Sequence, residues 1–330
     1  MKNIIIVSIN GDDNSGGVER VVYYLNKILS AYCSVSIMRR RGKPGKFDKI
    51  IYPVYFSLKL FFTGKNTVVI SNSWQSYLFP ADFSIHHGTT AGYLEHSGIR
   101  SMKSAFVAWM EKKSAANAKK IIAVGDNCGR ELEKYYSADP RKIIVLNNFV
   151  DENLFYPEKS EPRDVIRILF SGRLEERKGL SKILSLAQTL QDTEGLELCM
   201  ALNSSMNCDK FDGLKNVRIH KNLDINAMRG FYSQGDILYF PSVYEGFSMA
   251  TLEALSSGIP VIGSSFAVPL ELRKYDFAQV FEDDSGSLLI ENIKRLCEKT
   301  RNRRGEIHAI IAKDFGCAQY AEKLLSIVRG

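Results

Sequence analysis

The strongest constraint on this chain is the regular alternation of strand-like and helix-like runs along its whole length. Short apolar runs rich in β-branched residues recur between segments of helical period, an order that builds parallel sheets from βα units. In the first half the expected strands are IIIVSI (4–9), TVVISN (67–72), FSIHH (83–87), KIIAVG (120–125) and KIIVLNN (142–148). In the second half they are VIRILF (165–170), LELCMA (196–201), NVRIH (216–220), DILYFPS (236–242) and PVIGS (260–264). Between the sets lies DENLFYPEKSEPRD (151–164), polar and with two prolines, which reads as a linker. The expected fold is α/β, two Rossmann-like domains facing each other across a cleft. The expected domains are 1–157 and 158–330, with the last helix packing back on the first.

Composition excludes some classes. At 330 residues, 45% hydrophobic and 25% charged, the chain has the makeup of a globular protein of about two domains. The start, MKNIIIVSINGDD, has too short an apolar run for a signal-peptide core or a membrane span and reads as a buried first strand. Six cysteines (33, 128, 199, 208, 297 and 317) form no CxxC pair, which points to neither a zinc site nor a disulfide framework and fits a reducing cytosol.

The net charge of +7 is uneven. Residues 1–157 hold 21 Lys and Arg against 13 Asp and Glu, so the first half carries the whole excess. Part of it lies in RRRGKPGKFDK (39–49), followed by the aromatic-rich YPVYFSLKLFF (52–62). Together they would hold the protein against an anionic bilayer surface. The same residues also fit a solvated loop followed by a partly buried helix. No nucleic-acid-binding motif accompanies the charge, so nucleic acid is not an expected partner.

The segment FPSVYEGFSMATLEALSSGIPVI (240–262) carries two glutamates eight positions apart in an otherwise apolar, small-residue run. Ser248 is placed to cap a helix over 249–257, Gly258 to end it and Pro260 to start the next strand. Glu245 then lies in the loop at the carboxyl end of a strand, and Glu253 a little over one turn into the helix. Open α/β sheets bind ligands at that end. Two carboxylates there can accept hydrogen bonds from sugar or ribose hydroxyls, and the backbone N–H groups of Gly246, Phe247 and Ser248 can face an anion. Either glutamate alone would be read as a surface residue; the order of strand, loop acid, helix and second acid is more specific.

Three further segments accompany it. RILFSGRLEERKGLSKILSLAQTL (167–190) passes from a strand through a loop with Arg173, Arg177 and Lys178 into an amphipathic helix. Cations at that point can neutralise a pyrophosphate. NSGGVERVVYYLNKIL (14–29) sets Gly16 and Gly17 before a helix, which lets backbone approach a phosphate; on its own such a pair is more often just a turn, and it is not a GxGxxG fingerprint. SIHHGTTAGY (84–93) ends a strand on two histidines followed by a Gly-Thr-Thr loop.

These segments resemble family 4 glycosyltransferases, which have the GT-B fold, an E-x7-E segment and mostly retain anomeric configuration. The resemblance is strongest over 165–272 and recognisable at 14–29 and 84–89. It implies that Glu253 bonds the ribose hydroxyls of a nucleotide-sugar donor and that Glu245, with the backbone of Gly246 and Phe247, contacts the donor sugar. It assigns Arg173 and Lys178 to the diphosphate and leaves Arg177 facing solvent. Gly16 and Gly17 would face the donor phosphate and the acceptor. His87 would lie near the donor sugar, with His86 turned into the fold by strand alternation. LNNFVDENLFYP (146–157) resembles the family's N-G-V-D-x-x-x-F linker with Phe149 in place of glycine, and SSFAVPLELRK (264–274) keeps Glu271 but has Ala267 and Val268 where glycines are usual.

The implied activity is retaining transfer of a sugar from a nucleotide diphosphate donor to an acceptor hydroxyl, on a glycan of a lipid or lipopolysaccharide in bacterial surface polysaccharide synthesis. The nucleotide-sugar is a co-substrate, with no cofactor and no metal; EDD (282–284) and GDD (11–13) read as solvated. The implied location is cytoplasmic, peripheral on the inner face of the plasma membrane. The competing readings are a sugar-nucleotide epimerase of related fold and a non-catalytic nucleotide-sugar-binding assembly protein.

Overall fold

The computed structural model describes residues 3–12, 16–43, 45, 47–64, 66–98, 101–158, 164–203, 206–283 and 286–329. Asp13 and Asp284, one from each acidic run, and Pro44 and Lys46 of the basic stretch lie outside the described residues. The chain divides into two compact units, Met1–Asn148 with Ala321–Gly330, and Phe149–Tyr320. The division falls at Asn148 and Phe149 rather than after Pro157. Residues 149–157 pack on the second unit: Val150 N donates to the Phe315 carbonyl at 2.9 Å, Ser256 Oγ donates to the Phe155 carbonyl at 2.6 Å, and the Phe155 ring meets Tyr232 edge-on.

The first unit holds strands β1 (Asn3–Val7), β2 (Val35–Met38), β3 (Thr67–Asn72), β4 (Phe83–His86), β5 (Lys120–Ala123) and β6 (Ile143–Val145). They form one parallel sheet in the order β2-β1-β3-β4-β5-β6. Its helices are α1 (Gly17–Ser30), α2 (Asp48–Leu60), α3 (Thr90–Ser97), α4 (Met102–Asn117) and α5 (Asp126–Tyr136). α1 buries Val21, Val22, Leu25 and Leu29, one stripe of a 3.6-residue period.

The second unit holds β7 (Ile166–Ser171), β8 (Leu196–Leu202), β9 (Val217–Lys221), β10 (Ile237–Phe240), β11 (Val261–Gly263) and β12 (Ala278–Val280). Their parallel order is β12-β11-β10-β7-β8-β9. Helices α6 (Leu180–Thr189), α7 (Ile225–Ser233), α8 (Met249–Ser256), α9 (Gly286–Thr300), α10 (Arg304–Phe315) and α11 (Cys317–Arg329) complete the chain. Every residue of β8 and β10 is buried, as expected for parallel strands covered on both faces.

All ten expected strands form. β2 and β12 were not expected: each is an edge strand, four and three residues long, with no fully buried run to mark it. Several expected strands stop early, FSIHH at His86, KIIAVG at Ala123 and DILYFPS at Phe240. The residues beyond those ends turn into loops at the carboxyl edge, where an open α/β sheet binds its ligand. In each sheet the winding reverses at one point, between β1 and β3 in the first and between β7 and β10 in the second. Those two reversals locate the crevices.

Candidate active site

At the reversal of the second sheet, the loop after β7 and the loop after β10 lie side by side. Gly179, with φ +82°, ends the first loop. A Cβ there would stand 2.4 Å from the Pro241 carbonyl oxygen, so only glycine allows the two loops to touch. Two bonds stitch them together. Val243 N donates to the Arg177 carbonyl at 2.8 Å, and Ser242 Oγ lies 2.9 Å from the same oxygen.

The stitching brings Lys178 to Glu245. Lys178 Nζ donates to Glu245 Oε1 at 2.6 Å, with only 16% and 12% of the two side chains exposed. Ser242 Oγ sits 2.6 Å from the same carboxylate oxygen, and the ammonium lies 5.1 Å from the Phe240 ring centroid. Arg173 is the more exposed cation, at 58%, and pairs with Glu175 Oε1 at 3.2 Å. Arg177, expected to face solvent, is instead 27% exposed and bonds the same Glu175 oxygen through Nε at 3.2 Å. Its carbonyl anchors the loop after β10.

α8 begins as the sequence expects. Ser248 caps it by accepting from Thr251 N at 3.2 Å, and Gly258, at φ +79°, follows its end. Gly246 stands just before the cap. Phe247 is buried with its ring against Phe315. Glu253 is also buried, and its Oε2 accepts from the hydroxyl of fully buried Tyr232 on α7 at 3.0 Å. Tyr232 was missed: no motif marks a tyrosine 21 residues upstream as the support of this acid. Ala267 and Val268 are fully buried, so the side chains that replace the family's glycines fill the interior.

The remaining candidates belong to the first unit. Gly16 caps α1 without a side chain, and a Cβ on it would fall 2.6 Å from Glu19 Oε2. A carboxylate therefore lies beside Gly16, and Asn10 Nδ2 donates to its other oxygen at 2.7 Å. Acid at a helix N-terminus offsets the dipole that would attract an anion.

His87 follows the end of β4, with Gly88 next at φ +107°. Thr89 caps α3, accepting from Gly92 N at 3.0 Å and donating to buried Glu131 Oε2 at 2.7 Å. Buried Glu111 fixes the same loop through Thr90 N and Thr90 Oγ1, both at 2.8 Å, and through the Tyr136 hydroxyl. Burial raises the Glu111 pKa against those hydrogen bonds. His86 is fully buried, with Nε2 3.1 Å from Ser84 Oγ. Burial, and then the charge of His87, lowers its pKa to about 3; burial lowers that of His87 as well. Both imidazoles are neutral at pH 7.

The six cysteines are free. Burial pushes the thiols of Cys128 and Cys297 up to about 12, which leaves them unreactive near neutrality. Among the described residues, Asp151, Glu152 and Cys317 lie close enough together to hold a cation, but Glu152 already accepts from Cys317 N at 2.8 Å at the start of α11.

The second unit is thus a doubly wound parallel sheet with a lysine–glutamate pair at its reversal and a buried acid on the following helix. Known proteins make the class specific. Residues 153–310 match the family model described as "Glycosyl transferases group 1", and residues 15–154 match "Glycosyltransferase Family 4". The chain belongs to the family 4 glycosyltransferases. It is 28% identical to an uncharacterized glycosyltransferase of Methanocaldococcus jannaschii, over 58% of this chain and 53% of the relative. It is 23% identical to the O-antigen chain mannosyltransferase RfbU of Salmonella typhimurium, over 59% and 56%. The chain thus spans little more than half the length of these curated relatives. In fold it is similar to sucrose-phosphate synthase from Thermosynechococcus elongatus, with a TM-score of 0.83, 17% identity and coverage of 100% and 98%. It is also similar to Anabaena HepE in complex with UDP and glucose, with a TM-score of 0.75, 14% identity and full coverage of both chains. The fold is GT-B.

Proposed function

We propose that this chain transfers a hexosyl group, with retention, from a nucleoside diphosphate sugar to a hydroxyl of a glycan carried on a lipid or lipopolysaccharide. The observation that carries the reading is the Lys178–Glu245 pair at the reversal of the second sheet. It sets a cation and a hydrogen-bond-accepting acid side by side, with the more exposed Arg173 on the same loop as Lys178. In this reading Lys178 and Arg173 bind the diphosphate and balance its charge as the sugar leaves. Glu245, with the backbone of Gly246 and Phe247, orients the sugar. The start of α8, capped by Ser248, adds the positive end of a helix dipole, and Glu253, held by Tyr232, accepts from the ribose hydroxyls. His87 bonds a sugar hydroxyl. Gly16 and Gly17, with the Glu19 carboxylate beside Gly16, are better suited to acceptor hydroxyls than to phosphate. The leaving diphosphate takes the acceptor proton, and no divalent ion takes part, so chelator should leave the rate unchanged.

The O-antigen relative supports a surface glycan as acceptor, and the HepE complex supports UDP as the first donor base to test. Calorimetric titration with UDP, GDP and ADP, in wild type and in Glu253→Ala, tests the site. One nucleotide should bind tightly and lose affinity in the variant; binding of none would remove the reading.

The membrane half of the proposal rests on the region around α2. Phe47, Ile50, Ile51, Tyr55, Leu58, Phe61 and Phe62 are all exposed there, Phe62 to 90%. Beside them a cavity of about 660 Å³ is lined by Arg39, Arg40, Arg41, Tyr52, Tyr55 and Lys59. Apolar side chains ringed by cations suit the inner, anionic face of a plasma membrane. No helix among the described residues is long and apolar enough to cross one. Vesicles of phosphatidylcholine with phosphatidylglycerol should sediment the protein at low salt and release it at high salt; equal sedimentation with pure phosphatidylcholine would remove the electrostatic part.

A further inference from the structure

In the first unit, the carboxyl end of β3 is held in an unfavourable conformation. Ser73, the residue after the strand, has φ +53°, left-handed backbone that a residue with a Cβ rarely adopts. Three hydroxyls from three elements converge on its carbonyl oxygen: Ser71 Oγ at 3.2 Å, Ser84 Oγ at 3.4 Å and Ser114 Oγ at 2.7 Å. Ser84 Oγ is tied in turn to Ser114 Oγ at 3.0 Å and to His86 Nε2 at 3.1 Å. Such over-determined strain clusters at functional sites.

The locked turn fixes Asn72. This side chain is 3% exposed, and its Oδ1 lies 2.9 Å from His87 Nε2. Its Nδ2 is buried with no hydrogen-bond partner. An orphaned buried amide donor is a cost that an apolar or smaller residue would avoid. Asn72 pairs in register with Ile85, two residues before His87, so the contact follows from the sheet itself. A carboxamide oxygen only accepts. The imidazole nitrogen facing it must carry the proton, and the other nitrogen, Nδ1, becomes the acceptor.

We propose that Asn72 is a positioning residue that holds His87 as the neutral Nε2–H tautomer, so that Nδ1 accepts a hydrogen bond from a hydroxyl of the bound sugar. The inference rests on the sugar-transfer reading for the identity of the ligand, but its tautomer is a property of the protein alone. Burial of the ring, which disfavours the imidazolium, agrees with it. The titratable neighbour on the same strand, His86, is neutral over the same range, and therefore adds no charge.

The test has two independent readouts. In uniformly 15N-labelled protein, the ring nitrogens of His87 should show the Nε2–H tautomer from pH 5.5 to 8, assigned by loss of the signals in His87→Gln. Asn72→Asp, nearly isosteric, places a carboxylate on the same nitrogen, so His87 should begin to titrate inside that range and kcat/KM should acquire a new limb there. Asn72→Ala should lower kcat/KM about 10- to 100-fold with UDP affinity unchanged. If Asn72→Ala does not fold, the aspartate variant and the wild-type spectrum decide. An Nδ1–H tautomer in wild type, or an Asn72→Asp protein in which His87 does not titrate, overturns the assignment. A correct tautomer with no detectable transfer would instead count against the sugar-transfer reading.

Discussion

Replacing Glu245 by glutamine should tighten binding of the free nucleoside diphosphate while slowing transfer. Lys178 Nζ and Glu245 Oε1 are 2.6 Å apart and both side chains are largely out of water. A diphosphate that uses Lys178 must therefore compete with this carboxylate. A hydrogen bond to a charged group contributes roughly 1.5–3 kcal/mol, and a neutral one roughly half that. Exchanging carboxylate for amide should release about 1 kcal/mol of competition, which corresponds to roughly fivefold tighter nucleotide binding. The acid assigned to the sugar is lost in the same step, so kcat should fall about 100-fold. Stability should fall by about 1–2 kcal/mol, because Lys178 keeps only neutral acceptors in a partly buried position. Calorimetry with the preferred nucleotide, a thermal melt and a sugar-release assay read the three quantities separately. Nucleotide affinity unchanged or weakened in Glu245→Gln would refute the competition argument. The double variant with Lys178→Met should bind no tighter than Lys178→Met alone.

Three further outcomes follow from the geometry. Tyr232→Phe removes the hydroxyl that donates to Glu253 Oε2 and should cost about 1–2 kcal/mol in urea unfolding, with a several-fold loss of nucleotide affinity; unchanged affinity would mean that Glu253 needs no support. Gly179→Ala puts a Cβ 2.4 Å from a backbone oxygen at φ +82°, so it should destabilise by about 3 kcal/mol or more and abolish nucleotide binding in whatever folds. His86 has a folded pKa of about 3, below the ordinary histidine value near 6.5. The unfolded chain therefore binds the extra proton, and stability present above pH 6.5 declines as pH falls toward 3. The loss between pH 6.5 and 4.5 should be about 2 kcal/mol, and urea titrations of His86→Gln should show a correspondingly flatter dependence.

The two sheets were legible because a parallel strand covered on both faces is written as one apolar run. β8 and β10 are buried throughout and stand out in any window. β2 and β12 escaped because an edge strand of three or four residues leaves no such run. In the site, the capping serine, the helix and its ending glycine were legible locally. The pairing of Lys178 with Glu245 was not, since the two are 67 positions apart and meet where the Gly179–Pro241 approach and the bonds to the Arg177 carbonyl join two loops. The bonds to the Arg177 carbonyl explain why Arg177 does not simply face solvent. Its carbonyl serves the neighbouring loop, and a sequence pattern records side chains, not the backbone bonds that position them.

The charge of the first half is where sequence and site part most instructively. An excess of cations over residues 1–157 would suggest an anionic ligand in that unit's crevice. The side chains that the fold brings to the ends of β1, β3 and β4 include Asn10, Asn72, Gln75 and His87, with Glu19 on Asn10, while Arg39 reaches the loop after β1 and is held there by Asp12 at 3.5 Å. Apart from Arg39, which Asp12 neutralises, they are neutral or acidic, a set suited to hydroxyls. The cations lie at the edge of the sheet, around β2 and α2, where Arg39, Arg40, Arg41 and Lys59 line a cavity. Under the proposed function, attachment and recognition would be carried by different chemistry on one unit. Salt screens exposed charges over about 10 Å at 0.1 M, so raising it should release the protein from anionic vesicles. It should leave KM for a soluble acceptor unchanged, because hydroxyl recognition by Asn, Gln and neutral His involves no counterion. A KM that rises with salt in step with vesicle release would place the cations inside the acceptor site and overturn this division.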